Sequence, residues 1–316
     1  MLKKIFISSV LLLAVLSFVI SLLKGNNNGE KIITQSDRVA VININGTIIS
    51  GAGSDDNLLG GTEGTVSGDI MAQIREAASD SSVKALLLRI DSGGGSATAA
   101  EEIGAELKRF KKTKKPIVSV MGDSGASAAY WIAACASDKI YANNTTITGS
   151  IGVYISHMNT SELLKKIGVD QNKIKSGPYK DIMTSERPMS AEEKLIIQNV
   201  VNEIYDEFIN VVAEGRKMDA GKVRSIADGR FYTGRQAKNL GLIDEIGTYY
   251  DALAAAGEMG GVITGEDGLP PVKVKEKHQP WNYFLGAEIA KTVRGKLLEQ
   301  LGAELQDSSA SVNGVR

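Results

Sequence analysis

The sequence is poor in the residue types that most metal and redox chemistry requires. It holds one cysteine, Cys135, so an intrachain disulfide and a cysteine-based metal cluster are both excluded. Two histidines, His157 and His278, leave little material for a His-ligated metal centre or a histidine-rich active site. Six prolines against 34 glycines, with 43% apolar residues in 316, exclude collagen-like and low-complexity chains. An excess of one charge is missing too. The 36 Lys and Arg nearly cancel 37 Asp and Glu, so no long-range field is expected to recruit nucleic acid.

One long apolar run is present. Ile5–Leu23 carries no charge, and as a helix it would span roughly 28 Å at about 1.5 Å per residue, near the ~30 Å hydrocarbon core. Lys3 and Lys4 precede it; Lys24 and Gly25-Asn-Asn-Asn-Gly29 follow. No A-x-A-like cleavage site ends the run, and no cysteine follows to take a lipid, so an uncleaved anchor is favoured over a secretory signal. The leading lysines place the N-terminus in the cytoplasm and the bulk of the chain outside, as a single-pass protein of the cell membrane. The expected organisation is an anchor and linker over 1–29, a folded domain over 30–260, and a mobile C-terminal extension over 261–316.

Beyond the linker, the hydrophobic period alternates between that of strands and that of helices. Val39–Ile44, Val83–Ile90, Pro116–Met121 and Lys139–Ala142 read as buried strands. Ile70, Ile74 and Ala78 mark a helix, and Ala97–Lys112 and Ala126–Ala136 read as two more. This rhythm predicts an α/β fold of parallel strands joined by crossover helices. Ser190 and Glu193 form a capping box that opens a long helix to about Gly215, with Leu195, Ile196, Val200, Ile204, Phe208 and Val211 along one side. Shorter helical patterns follow near 219–226, 234–240 and 248–257, and an amphipathic stretch lies at 287–301.

Two loops could carry chemistry. Asp91-Ser-Gly-Gly-Gly-Ser96 follows a buried strand and precedes a helix, so its glycines can turn sharply and present bare N–H groups to a ligand oxygen. It lacks the lysine of a P-loop and the spacing of a dinucleotide fingerprint, and a turn without ligand remains the plain alternative. In the second loop, Gly122–Tyr130, Ser127 lies at a helix N-terminus, where partial positive charge favours a developing anion. Its plain alternative is a helix cap.

A serine nucleophile needs a base. His157 and His278 lie in settings unlike a triad, which leaves lysine. Lys175-Ser-Gly-Pro-Tyr-Lys-Asp-Ile-Met183 places Lys175 and Lys180 in a turn-rich stretch among apolar residues. A lysine at its reference pKa of about 10.4 is mostly charged near neutral pH, so a lysine base has to be desolvated and held. On residues alone, either lysine could simply be solvated. Cys135, Tyr130 and Trp131 read as core, and Asp123 and Asp181 as neighbours of the machinery without a direct part.

Five segments together resemble the signal peptide peptidase A family in its short, single-repeat form. They are Arg89–Ser96, Met121–Tyr130, Ile147-Thr-Gly-Ser-Ile-Gly-Val153, Lys175–Ile182 and Asp228–Gly247. They stand in the family's order over about residues 38–258. The resemblance implies a Clp protease/crotonase-like fold of ββα units and a serine endopeptidase with a Ser/Lys dyad. It assigns Ser127 as nucleophile, Lys180 as general base and Ser150 as the hydroxyl that orients the lysine. It also assigns the backbone N–H groups of Gly95 and Ala128 to the oxyanion, with Gly94 as a further candidate. No metal or cofactor is implied.

The expected substrates are remnant signal peptides and other apolar peptides at the membrane. The expected assembly is a homo-oligomeric ring whose sites draw on neighbouring protomers. The chain departs from the family's pattern in having Gly93 where a proline is usual and Ala128-Ala129 where two glycines are usual. Two other readings stay open: an inactive membrane-anchored scaffold of the same fold, for which Ala128-Ala129 is the best argument, and an acyl-CoA-processing crotonase-like enzyme, which shares the fold type and an oxyanion hole.

Overall fold

Residues that alternate between two buried faces build the centre of this protein. The computed structural model describes residues 36–51 and 64–274; the expected anchor at Ile5–Leu23, His278 and the stretch 287–301 lie outside the described residues. In chain order the strands are β1 (Arg38–Asn45), β2 (Thr47–Ile49), β3 (Gly64–Val66), β4 (Val83–Ser92), β5 (Ile117–Ala126), β6 (Lys139–Ala142), β7 (Ile147–Gly149), β8 (Phe231–Thr233), β9 (Glu245–Ile246) and β10 (Val272–Val274). The helices are α1 (Ser67–Ser79), α2 (Ala97–Lys111), α3 (Ala128–Ala136), α4 (Ser161–Lys166), α5 (Ala191–Arg216), α6 (Ala220–Ile226), α7 (Gly234–Leu240) and α8 (Tyr249–Gly260).

The main sheet runs β10-β1-β4-β5-β6-β9, each neighbouring pair parallel. On β4, Leu86, Leu88 and Ile90 face one core, with residues of α1, α2, α3 and α5, while Ala85 and Leu87 face a smaller core with residues of α8. All five side chains are fully buried, and each Leu or Ile contributes about 1.5–3 kcal/mol by leaving water. A central parallel strand covered on both sides therefore reads as the continuous apolar run seen in the sequence. The mixed α/β architecture with a parallel-rich sheet fits the expectation.

One boundary differs in a way that matters. The expected helix from Ala126 begins at Ala128, because β5 continues through Gly122–Ala126. The first half of β5 pairs with β6, and Ser124–Ala126 then pair with β7, itself antiparallel to β8. That tertiary pairing overrides the small, weakly strand-forming residues of the segment. The C-terminal ends of β4 and β5 thus lie side by side, Ser92 paired with Gly125. In parallel α/β sheets this is the edge where ligands bind.

Candidate active site

Ser127 stands between β5 and α3 in a backbone conformation that a side chain rarely adopts, φ 55° and ψ −125°. Both of its peptide groups are fixed. Its N–H donates to Gly149 O at 2.9 Å, and its C=O accepts from Trp131 N at 2.9 Å. The helix it opens is buried throughout. Tyr130 Oη donates to Leu242 O at 2.8 Å, and the Trp131 ring lies 4.9 Å from that of Phe208 on α5. Such over-determined surroundings hold a strained residue whose conformation costs about 1–3 kcal/mol. Ser127 occupies the N-cap position, yet its hydroxyl caps nothing. The plain reading of Ser127 as a helix cap is therefore not what the structure shows.

Ser150 is brought to the same place. It follows Gly149, the acceptor of the Ser127 N–H, and its own N–H donates to Arg230 O at 2.9 Å. Five non-glycine residues among those described have left-handed φ, and the two expected site serines are among them.

The glycine loop closes against Ser127. A Cβ built on Gly94 (φ +109°) would lie 2.7 Å from Ser127 Cβ and 3.0 Å from Ala128 N. Ser92 Oγ is buried, donates to Gly46 O at 2.6 Å and accepts the Gly94 N–H at 3.1 Å. This corrects the inclusion of Gly94 among the oxyanion donors, since its N–H is engaged. Gly95 forms a parallel bridge with Ile48, in which Ile48 N donates to Gly94 O (3.0 Å) and Ser96 N donates to Ile48 O (2.8 Å). In that pattern the Gly95 N–H faces away from Ile48, and it has no acceptor among the described residues. The Ala128 N–H is the first of α3, one of the donors a helix leaves unpaired. Among the described residues the Gly95 and Ala128 N–H groups thus have no acceptor, and Ala128 follows the serine at the helix N-terminus. Asp91 Oδ1 accepts from Ser124 N at 3.0 Å and ties the two loops together.

The departures from the family pattern have simple surroundings. Space around Gly93 is open, and Ala128 and Ala129 are buried within α3. His157 Nε2 lies 2.8 Å from Thr184 O and 27 residues from it in sequence. Burial pushes the Cys135 thiol up to about 12, which leaves it inert near neutral pH. Among the described residues no cluster of His, Cys, Asp and Glu could hold a metal ion.

Lys180 is not joined to these serines by any hydrogen bond among the described residues. It is exposed, on a stretch without helix or strand between α4 and α5. Lys175 donates to Asp181 Oδ1 at 2.7 Å and to Pro178 O at 3.2 Å, whereas Lys180 Nζ has no partner among the described residues. Asp181 is committed to ion pairs: Arg187, and then Lys175, hold its carboxyl well below the usual range. Arg187 in turn holds Glu193 down at about 2, helped by the Ser190 N–H. Between β7 and α5 the chain also exposes Tyr154 and Met158 before α4, Leu163 on it, and Ile167 and Ile174 after it.

Two residues escaped the sequence reading. Ser92 carried a signal, since a serine just before a glycine run is a frequent maker of side-chain turns. Arg187 carried none, because its two carboxylate partners lie six residues away on either side of it.

Comparison with known proteins gives a match of residues 109–262 to peptidase family S49. The chain is 44% identical over 185 residues to an Enterococcus faecium protein named for signal peptide peptidase SppA, covering 58% of this chain and 54% of that one. It is 38% identical over 214 residues to a Methanocaldococcus jannaschii protein named as a protease, covering 68% of each. It is 33% identical over 221 residues to the chloroplastic serine protease SPPA of Arabidopsis thaliana, covering 70% of this chain and 32% of that one. The chain thus spans about half the length of the first of these relatives and a third of the last.

Proposed function

Because the chain belongs to peptidase family S49, we propose that it is a serine endopeptidase of the Clp protease/crotonase-like fold, working through a Ser127/Lys180 dyad. The observation that carries this reading is the strained Ser127 with its uncapped hydroxyl, set against the Gly94–Gly95 backbone and the Ala128 N–H. Neutral Lys180 takes the Ser127 proton, and Oγ attacks a peptide carbonyl. The oxyanion is received by the Gly95 and Ala128 N–H groups, each such donor typically worth about 3–4 kcal/mol at the transition state. Protonated Lys180 then gives its proton to the leaving amine, and water hydrolyses the acyl-serine. Ser150 orients the lysine ammonium.

Lys180 reaches the serine in a homo-oligomeric ring, from the neighbouring protomer. Two features support this. The chain between β7 and α5, which carries Lys180, exposes several apolar side chains, and the N-terminal half of α5 exposes Leu195 and Val200. Among the described residues only the far half of the expected α5 stripe, Phe208, Val211 and their neighbours, is buried. A second copy covering these residues would also desolvate Lys180, which a lysine base requires.

The substrates are remnant signal peptides and other apolar peptides, cut at the outer face of the cell membrane to which Ile5–Leu23 anchors the enzyme. Among the described residues no helix is long and apolar enough to cross a membrane, so the anchor rests on the sequence of that run.

Two measurements test the reading. Hydrolysis of a fluorogenic peptide with Ala or Leu before the cut, followed from pH 6 to 10, is expected to rise with pH and to vanish in Ser127→Ala and Lys180→Ala, but not in Lys175→Ala. Mixing the two inactive variants and reassembling them is expected to restore part of the activity, because a site with one protomer's serine and its neighbour's lysine is intact. No restoration at any ratio would place both groups in one chain.

A further inference from the structure

We propose that Arg187 is a positioning residue for the general base: by gripping Asp181 and Glu193 together it fixes the turn bearing Lys180 onto the first turn of α5. The proposal rests on the reading of Lys180 as that base.

The guanidinium makes four bonds to two carboxylates. Nη2 donates to Asp181 Oδ1 at 2.9 Å and Nε to Asp181 Oδ2 at 3.2 Å; Nη1 donates to Glu193 Oε2 at 2.8 Å and Nη2 to Glu193 Oε1 at 2.5 Å. Both carboxylates are shielded, with side chains 10% and 4% exposed. This is bidentate, charge-assisted pairing on two sides, unlike a loose surface ion pair.

The grip has a rigid foundation. Glu193 Oε2 also accepts the Ser190 N–H at 2.8 Å in the capping box of α5, whose far end is locked into the core by Phe208, Ile209 and Val212. The other end of the grip reaches the base. Asp181 is the residue after Lys180, and Tyr179, the residue before it, donates its hydroxyl to Glu192. Lys180 is therefore bracketed by two anchored neighbours while its own amine stays unpaired among the described residues. The turn is also held by short-range backbone bonds such as Lys180 N to Gly177 O and Thr184 N to Asp181 O, and by Lys175, whose amine donates to Pro178 O and Asp181 Oδ1. A displacement of about 1 Å at a reacting group can cost roughly a hundredfold in rate.

Removing the guanidinium leaves Asp181 and Glu193 without their shared cation, and the turn bearing Lys180 loses its tie to the first turn of α5.

The test compares Arg187→Ala, Arg187→Lys and Lys180→Ala in the full-length assembled enzyme on the fluorogenic peptide. Arg187→Ala is expected to lower kcat about a hundredfold with KM unchanged and to keep the wild-type oligomer size. Arg187→Lys keeps the charge but cannot hold two carboxylates bidentately, and is expected to fall between. Wild-type kcat in Arg187→Ala, with Lys180→Ala inactive, would overturn the positioning role alone. Full activity in Lys180→Ala would overturn the base assignment and this proposal with it. Where Arg187→Ala does not assemble, Arg187→Lys and Asp181→Asn decide. A loss in kcat at constant KM in both supports the proposal, while wild-type kcat in both, or a change in KM alone, overturns it.

Discussion

Replacing Ser127 by glycine is expected to make the protein more stable while abolishing its activity. At φ 55° and ψ −125° a residue with a Cβ is strained, and relief of that strain is worth about 1–3 kcal/mol. Glycine adopts the conformation freely but gives the unfolded chain more freedom, which takes back about 0.4–1 kcal/mol. The net gain is about 1 kcal/mol, or roughly 2–4 °C in melting temperature for a folded domain of this size. Ser127→Ala is the necessary control. It removes the same hydroxyl, which caps nothing, but keeps the Cβ and hence the strain, so it is expected to melt with the wild type. Thermal unfolding of all three proteins at one concentration and scan rate reads the difference. If Ser127→Gly melts at or below Ser127→Ala, the nucleophile turn stores no strain and that argument is wrong.

Two further outcomes follow from the geometry. A Cβ at Gly95 would lie 2.1 Å from Ile48 O and 2.7 Å from Ile48 N, so Gly95→Ala has to push the loop off β2. On the proposal that the Gly95 N–H is an oxyanion donor, kcat is expected to fall about 10²–10³-fold, and peptide hydrolysis at saturating substrate measures it. In acid, the clamp around Lys180 is expected to open before the sheet. Glu193 is lowered from 4.5 to about 2 in the folded protein. A depressed carboxylate contributes stability in full above its unfolded value and loses it as pH falls through the folded one. Hydrogen-exchange protection over 175–193 is therefore expected to be present at pH 5 and lost near pH 2; an equally protected segment at both would contradict this.

The central strands were legible because a parallel strand buried on both faces is a plain apolar run, as Leu86–Leu88 shows. The helices followed from period and caps, the Ser190–Glu193 box above all. What could not be read was long-range pairing. Nothing local in Gly122–Ala126 announces a strand, because its partner β7 lies more than twenty residues on. The two reactive loops stood out by their glycines and serines, and their meeting at the ends of β4 and β5 follows from parallel strand order. The Gly94 N–H was misjudged because it is the buried Ser92 hydroxyl, placed by Gly46 across the sheet, that engages it. Lysine assignment needed the family resemblance; the structure adds that Lys175 is held by Asp181 and Lys180 is not. The apolar stripe of α5 was visible in full, but among the described residues only its second half, from Phe208, is buried.

The most direct test of the central claim is covalent labelling of the assembled protein with a fluorophosphonate, mapped by peptide mass spectrometry. A single adduct on Ser127 in the wild type, absent or greatly slowed in Lys180→Ala, is the predicted result. Labelling of another residue, or equal labelling of Ser127 in Lys180→Ala, would contradict the dyad.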